Sequence, residues 1–297
     1  MKAPSRGILA MFGSATAFSL MAVCVKLGSA EIPPQELIAV RSLFIIAAVL
    51  PILRRRSIPF FGNNRKLLLL RGFLGYVAMS CYFYTLGALP VADAMVLQYL
   101  SPIFTILWAA LFLAERPRGP VVPAAVICLV GLLLVVNPQG GGSLFVGAIG
   151  LVGAALAGGA YAAVRALRTT DNPYTIVLYF PLVSLPPSLL LALSEGWVWP
   201  ASGSGWWGIL GVCIFSYLGQ IFLTLGLRSE AAPRAILVNY VSVGLGLAFG
   251  LLLFDTVPTV LSIVGAGLIL AGISLVALHK EKSTRAPGAD EKRKIDR

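Results

Sequence analysis

Two short polar clusters at matching spacing interrupt apolar sequence: Gln98, Tyr99 and Ser101 in one run, Asn239, Tyr240 and Ser242 in another. Amides, phenols and hydroxyls give and take hydrogen bonds. No base stands beside a nucleophile here, so the chemistry on offer is recognition rather than bond breaking. Amides within apolar helices often serve as hydrogen-bonding glue between helices. A pair related by an internal repeat would instead converge near the membrane midplane, where a solute is gripped. Pro102 adds to this, because a residue without an N–H frees the carbonyl one turn back, at Gln98, for solute, water or a hydroxyl. The deeper phenols Tyr82, Tyr161 and Tyr217 suit either core hydrogen bonding or stacking on a planar solute.

Charge inside apolar sequence needs a reason, since a lone charge at mid-bilayer costs about 2.5–3.5 kcal/mol on insertion scales. Lys26 and Arg41 are the two basic residues that a single membrane face does not absorb. Lys26 falls near the end of the first run, and Arg41 about 10 Å into the second. Both can snorkel toward headgroups or toward Glu31 and Glu36. In the sharper reading Arg41 faces a cavity and grips a carboxylate or phosphate through paired hydrogen bonds, while Lys26, Asp93 and Pro102 form gating elements.

Residues for other chemistry are sparse. The sole histidine, His279, ends the last apolar run, and Cys24, Cys81, Cys128 and Cys213 fall in four separate runs without metal-ligand spacing. No phosphate-binding glycine loop ending in Lys-Ser/Thr occurs. No enzyme activity, metal or other cofactor is therefore expected. A membrane-embedded lipid-modifying enzyme or a lipid flippase is the alternative that stays open.

The elements that must hold these residues follow from composition. Hydrophobic residues make up 58% and charged residues 12%, where a soluble domain carries roughly 25% charged. The apolar residues cluster in runs of about 20, enough for a helix to cross about 30 Å of hydrocarbon. Ten helices are expected, at about 7–29, 34–53, 67–89, 92–113, 120–136, 144–167, 173–194, 206–227, 232–253 and 258–278, with "EIPPQE", "NPQGGGS", "DNP" and "WPASGSG" as breaks. The first run exceeds the 7–15 residues of a secretory signal and reaches Lys26 before any small-residue site, so it reads as an uncleaved span.

One set of loops holds Arg54, Arg55, Arg56, Arg65, Lys66, Arg116, Arg118, Arg168 and Arg228 along with both chain ends; the other holds Glu31, Glu36, Asp93, Glu195 and Asp255. Basic loops stay inside, so both termini are expected in the cytoplasm, and the net charge of +11 is mainly a topology signal rather than a nucleic-acid signal. The mixed-charge end, residues 280–297, reads as a disordered cytoplasmic tail. Trp197, Trp199, Trp206 and Trp207 read as an outer aromatic belt.

Aligning Tyr99 with Tyr240 also aligns Gln98 with Asn239, Ser101 with Ser242, Pro117 with Pro258 and Gly131 with Gly272. Five helices per half is an odd number, so the second half enters the membrane facing the other way. Asp93 near the start of one copy and Arg234 at the start of the other then obey opposite charge rules. The fold class expected is an all-α membrane protein of ten transmembrane helices in two inverted five-helix repeats, 7–137 and 144–279.

With its ten spans, its repeat and the segment "LQYLSPIFTILWAALFLAERP", the chain resembles the drug/metabolite transporter superfamily, specifically EamA-type members with two tandem domains. The most specific element is the fourth helix ending in Glu115 before a Pro; in the second half Asp255 stands near the matching position and Val243 replaces Pro102. The resemblance implies a carrier whose central cavity is lined by helices one to four and six to nine. The expectation is a multi-pass permease of the cytoplasmic membrane that moves a small organic metabolite, such as an amino acid or another zwitterionic or anionic amphipathic solute, by alternating access. The expected partners are that solute and the lipid bilayer, with no nucleic acid; a homodimer stays open.

Overall fold

The computed structural model describes residues 5–88, 97–115, 120–136, 144–242, 245, 249 and 260–278. Asp93, Val243, Asp255, His279 and the 280–297 tail lie outside the described residues. Regular structure among the described residues is helical throughout: α1 (Arg6–Gly28), α2 (Pro34–Arg55), α3 (Arg65–Ala88), α4 (Ser101–Phe112), α5 (Val121–Val136), α6 (Leu144–Ala166), α7 (Pro173–Glu195), α8 (Gly203–Ser229), α9 (Ala232–Leu237) and α10 (Val260–Leu278). Six of these, α1, α2, α3, α6, α7 and α8, are long and apolar enough to cross a membrane.

Local chemistry fixes the starts. Ser5 accepts a hydrogen bond from the Ile8 amide at 3.2 Å, Asn172 from Tyr174 at 3.0 Å and Ser202 from Gly205 at 3.1 Å, each satisfying an amide that the first helical turn leaves without a partner. Pro34 and Pro173 open α2 and α7, where their missing N–H costs nothing.

The helices pack in four principal pairs, α1 on α8, α2 on α7, α3 on α6 and α5 on α10, while α4 lies mainly on α6 and also meets α9. In each pair one member comes from each half of the chain. Counterparts in the sequence alignment meet at some crossings: the Tyr99 and Tyr240 rings lie 6.4 Å apart, and Gly131 and Gly272 each press against the other's helix. The α1–α8 seam closes to backbone contact, since a Cβ on Gly208 would sit 2.8 Å from the Gly28 Cα. Only backbone-to-backbone contact allows that approach.

The molecule is greasy outside, and its largely apolar interior also holds charged and polar side chains. Phe112 is 73% exposed and Leu190 70%, whereas Arg41 is 0% and Arg71 2% exposed, with Ser42, Thr105, Ser184, Ser216 and Gln220 also buried. A water-soluble protein shows the reverse pattern.

Two helices differ from expectation. The fourth is broken at Leu100 and restarts at Ser101, because Pro102 in the new first turn cannot donate to the Gln98 carbonyl. The ninth is α-helical only to Leu237 and then tightens into a 3-10 turn over Val238–Tyr240. Both irregularities fall on the polar clusters.

Candidate functional site

A cavity of about 120 Å³ lies between the halves. Its walls come from α1 (Phe18, Ser19), α3 (Arg71, Met79, Tyr82), the break before α4 (Gln98, Tyr99, Ser101, Pro102), α6 (Tyr161), α7 (Phe180), α8 (Gln220) and the 3-10 turn after α9 (Asn239, Ser242). Irregular backbone at membrane depth is tolerated where it borders a cavity, and here both interrupted segments do so. Asn239 Oδ1 is buried and has no hydrogen-bond partner among the described residues; the Ser242 hydroxyl bonds the Asn239 carbonyl.

Thus Tyr82, Gln98, Tyr99, Ser101, Pro102, Tyr161, Asn239 and Ser242 share one cavity. The other sequence candidates sit elsewhere. Arg41 is one layer behind the wall: its Nη1 bonds the Met79 sulfur and its guanidinium rests 4.7 Å from the centre of the Phe180 ring. Tyr217 packs with Ile45, Val49, Val177 and Leu178 between α2, α7 and α8. Tyr240 lies behind Tyr99, fully buried against Val121, Ala124 and Cys128 of α5. Lys26 is exposed in the last turn of α1.

Sequence reasoning passed over two residues in this wall. Arg71, about 9 Å into α3, donates from Nη2 to Gln220 Oε1 at 2.6 Å, and its guanidinium lies 4.6 Å from the same Phe180 ring. A cation on an aromatic face gains about 2 kcal/mol when desolvated, which offsets only part of the several kcal/mol that burying an ion costs. None of the described residues lining the cavity is acidic. The signal available in the sequence was an arginine past the first turn of an apolar run and an amide in the middle of another.

Carboxylates join the halves at both ends of the bundle. Between α1 and α2, Glu31 accepts from the Ala201 amide at 2.8 Å, the Ser202 amide at 3.2 Å and the Ser202 hydroxyl, and Glu36 accepts from the Val198 amide at 3.0 Å. The bonds from Ser202 and Ala201 hold the Glu31 carboxyl below its ordinary pKa. At the opposite end Asp171, between α6 and α7, accepts from the Asn63 amide at 2.6 Å and the Asn64 amide at 3.2 Å, just before α3. There too Glu115 pairs with Arg165 at 2.8 Å and accepts from the Ala232 amide at 3.0 Å, while Arg165 donates to the Leu227 carbonyl at 2.9 Å. Each carboxylate thus satisfies amides just before or at the start of a helix from the other half, where the helix dipole also favours negative charge.

Comparison with known proteins agrees with this architecture. The EamA-like transporter family matches residues 5–137 and again 145–278. The chain is 34% identical over 276 residues to the pseudopaline exporter CntI of Pseudomonas aeruginosa, covering 93% of this chain and 96% of that one. It is 27% identical to solute carrier family 35 member G1 of Homo sapiens (93% and 80% covered) and 24% identical to the riboflavin transporter of Vibrio cholerae (95% and 96% covered). A solved crystal structure shares the fold with a TM-score of 0.76 at 21% identity, covering 92% of this chain and 96% of that one. A polar cavity between two matched halves, an apolar exterior and two successive family matches have one meaning: the chain belongs to the EamA-like transporter family and is a multi-pass protein of the inner membrane.

Proposed function

We propose that the chain is a secondary transporter that moves a small organic metabolite, an amino acid or another zwitterionic or anionic amphipathic solute, by alternating access. The observation that carries this reading is the shared cavity at which two interrupted segments, one from each half, present Gln98 and Asn239. In this mechanism the units 7–137 and 144–279 are inverted five-helix repeats with both termini cytoplasmic, and they rock about the cavity so that it opens to one side at a time. The amides and Ser101 and Ser242 bond the polar groups of the solute, and the rings of Tyr82, Tyr99 and Tyr161 cover its planar body. The sequence carries no ATP-binding glycine loop, and its acids Asp93, Glu115 and Asp255 fall near the expected helix ends rather than at mid-membrane, so flux runs by facilitated diffusion or exchange. Relatives named for pseudopaline and riboflavin support a small organic cargo.

The test is uptake and efflux in proteoliposomes across a panel of amino acids, nucleobases and other metabolites, comparing the parent with Gln98→Ala and Asn239→Ala. Saturable flux of at least one solute, reduced about tenfold or more in either variant, supports the reading; one lost hydrogen bond to a charged group is worth that much. No flux for any solute, or unchanged flux in both variants, removes it. The orientation is checked separately by introducing cysteine at the exposed Ser29 and Ser194, both of which should label from outside.

A further inference from the structure

We infer that Arg71 is the docking point for a carboxylate on the transported solute; this rests on the transport reading above and names the group that the cavity selects. Arg71 borders the cavity and is 2% exposed, yet its assigned partner, Gln220 Oε1 at 2.6 Å, is neutral. Among the described residues neither its Nε nor its Nη1 has a hydrogen-bond partner. A guanidinium has five N–H groups, and Gln220 takes one. Arg41, on the same Phe180 ring, likewise leaves Nε and Nη2 without partners among the described residues and adds a second positive charge behind the wall.

Two buried cations leaning on one aromatic ring, with no acid among the described residues that line the cavity, form a site short of one anion. Native proteins leave few buried donors unsatisfied, and those few have a use. A carboxylate accepting two parallel N–H bonds from the Arg71 fork, one from Nη1 and one from the hydrogen that Nη2 does not give to Gln220, supplies the missing charge and an acceptor for Nη1 together. Gln220 acts as a positioning residue that holds the fork in plane with the cavity. Arg41, screened by Met79 and Phe180, contributes field rather than contact. The phenol rings and the Asn239 amide face the rest of the same space, so the solute pairs its carboxylate with a planar or hydrogen-bonding body.

The experiment uses the full chain in lipid nanodiscs and follows the thermal unfolding midpoint during titration with benzoate, benzamide or inorganic phosphate. Benzoate should raise the midpoint saturably while benzamide, the same shape without the charge, should not. Arg71→Gln should abolish the benzoate response, Arg71→Lys should weaken benzoate binding by about tenfold, and Arg54→Gln, at an exposed position, should leave it intact. Should Arg71→Gln fail to fold, Arg71→Lys carries the test. Equal behaviour of benzoate and benzamide in the parent, including binding of neither, overturns the inference. So does a full benzoate response in either Arg71 variant, or tighter binding of phosphate than of benzoate. Failure of the transport reading is a different result: benzoate binds as expected, yet no solute of the proteoliposome panel crosses.

Discussion

The two ends of the bundle solve one problem with different strengths. At the Glu31 end the half-buried Glu31 takes two backbone amides and a serine hydroxyl, and the buried Glu36 takes the Val198 amide. At the Asp171 end the carboxylate is 5% exposed, Gly62 (φ 63°) passes so close that a Cβ would meet Asp171 Oδ1 at 2.5 Å, and the Glu115–Arg165 pair adds a charged brace. The charged brace makes the second junction dearer to break, because losing Glu115 strands the buried Arg165 guanidinium. Surface carboxylate contacts are worth little beside it. Arginine explains much of the asymmetry: Arg165, Arg168 and Arg228 gather at the Asp171 end, whereas the Glu31 end offers its acids Lys26 but no arginine.

Breaking the stronger end should cost most. Glu115→Ala strands Arg165, whose side chain is 6% exposed, and removes the Ala232 cap, so a loss of about 3 kcal/mol is expected in chemical or thermal unfolding in nanodiscs. Asp171→Ala leaves the Asn63 and Asn64 amides without acceptors and should cost about 2 kcal/mol by the same measurement. Gly62→Ala should cost about 1 kcal/mol through its left-handed backbone alone, and more if Asp171 cannot move aside. Glu31→Gln should have the smallest effect at neutral pH and sharpens the comparison through its pH dependence. Because hydrogen bonding lowers the folded pKa of Glu31, its contribution is complete above the ordinary carboxylate value and disappears as pH falls through the lowered one. The unfolding midpoints of parent and Glu31→Gln should therefore converge in acid. Convergence at the Asp171 end instead, or a larger loss from Glu31→Gln than from Asp171→Ala, would reverse the ranking of the two junctions.

Much of the frame is legible in the sequence because helix ends in an apolar chain are written in strong local chemistry. Pro34, Asn172 with Pro173, and Ser202 open helices within a few residues of expectation. The Gln98 and Asn239 clusters stand out because they repeat, and Pro102 announces the break beside one of them. Arg71 and Gln220 carry no such mark. Arg71 follows Arg65 and Lys66 closely enough to merge with the basic loop, and its depth shows only once α3 is docked on α7 and α8. Tyr217 and Arg41 show the reverse limit: periodicity indicates that a residue is inside, while the neighbour that fills the space in front of it, Met79 and Phe180 for Arg41, is set by packing between distant helices.

The seam between α1 and α8 has a mechanical corollary. Its backbones meet where Gly28 lies beside Gly208, and toward the other extremity Phe18, Met11 and Phe222 seat against Gly219, Gly226 and Gly13 and fill the seam. Two rods pressed together this closely tilt as a single beam. Under the proposed alternating access, lifting the beam at the Glu31 extremity would lower it at the Ser5 extremity, so a geometric seesaw, with no separate messenger, would keep both mouths from gaping at once.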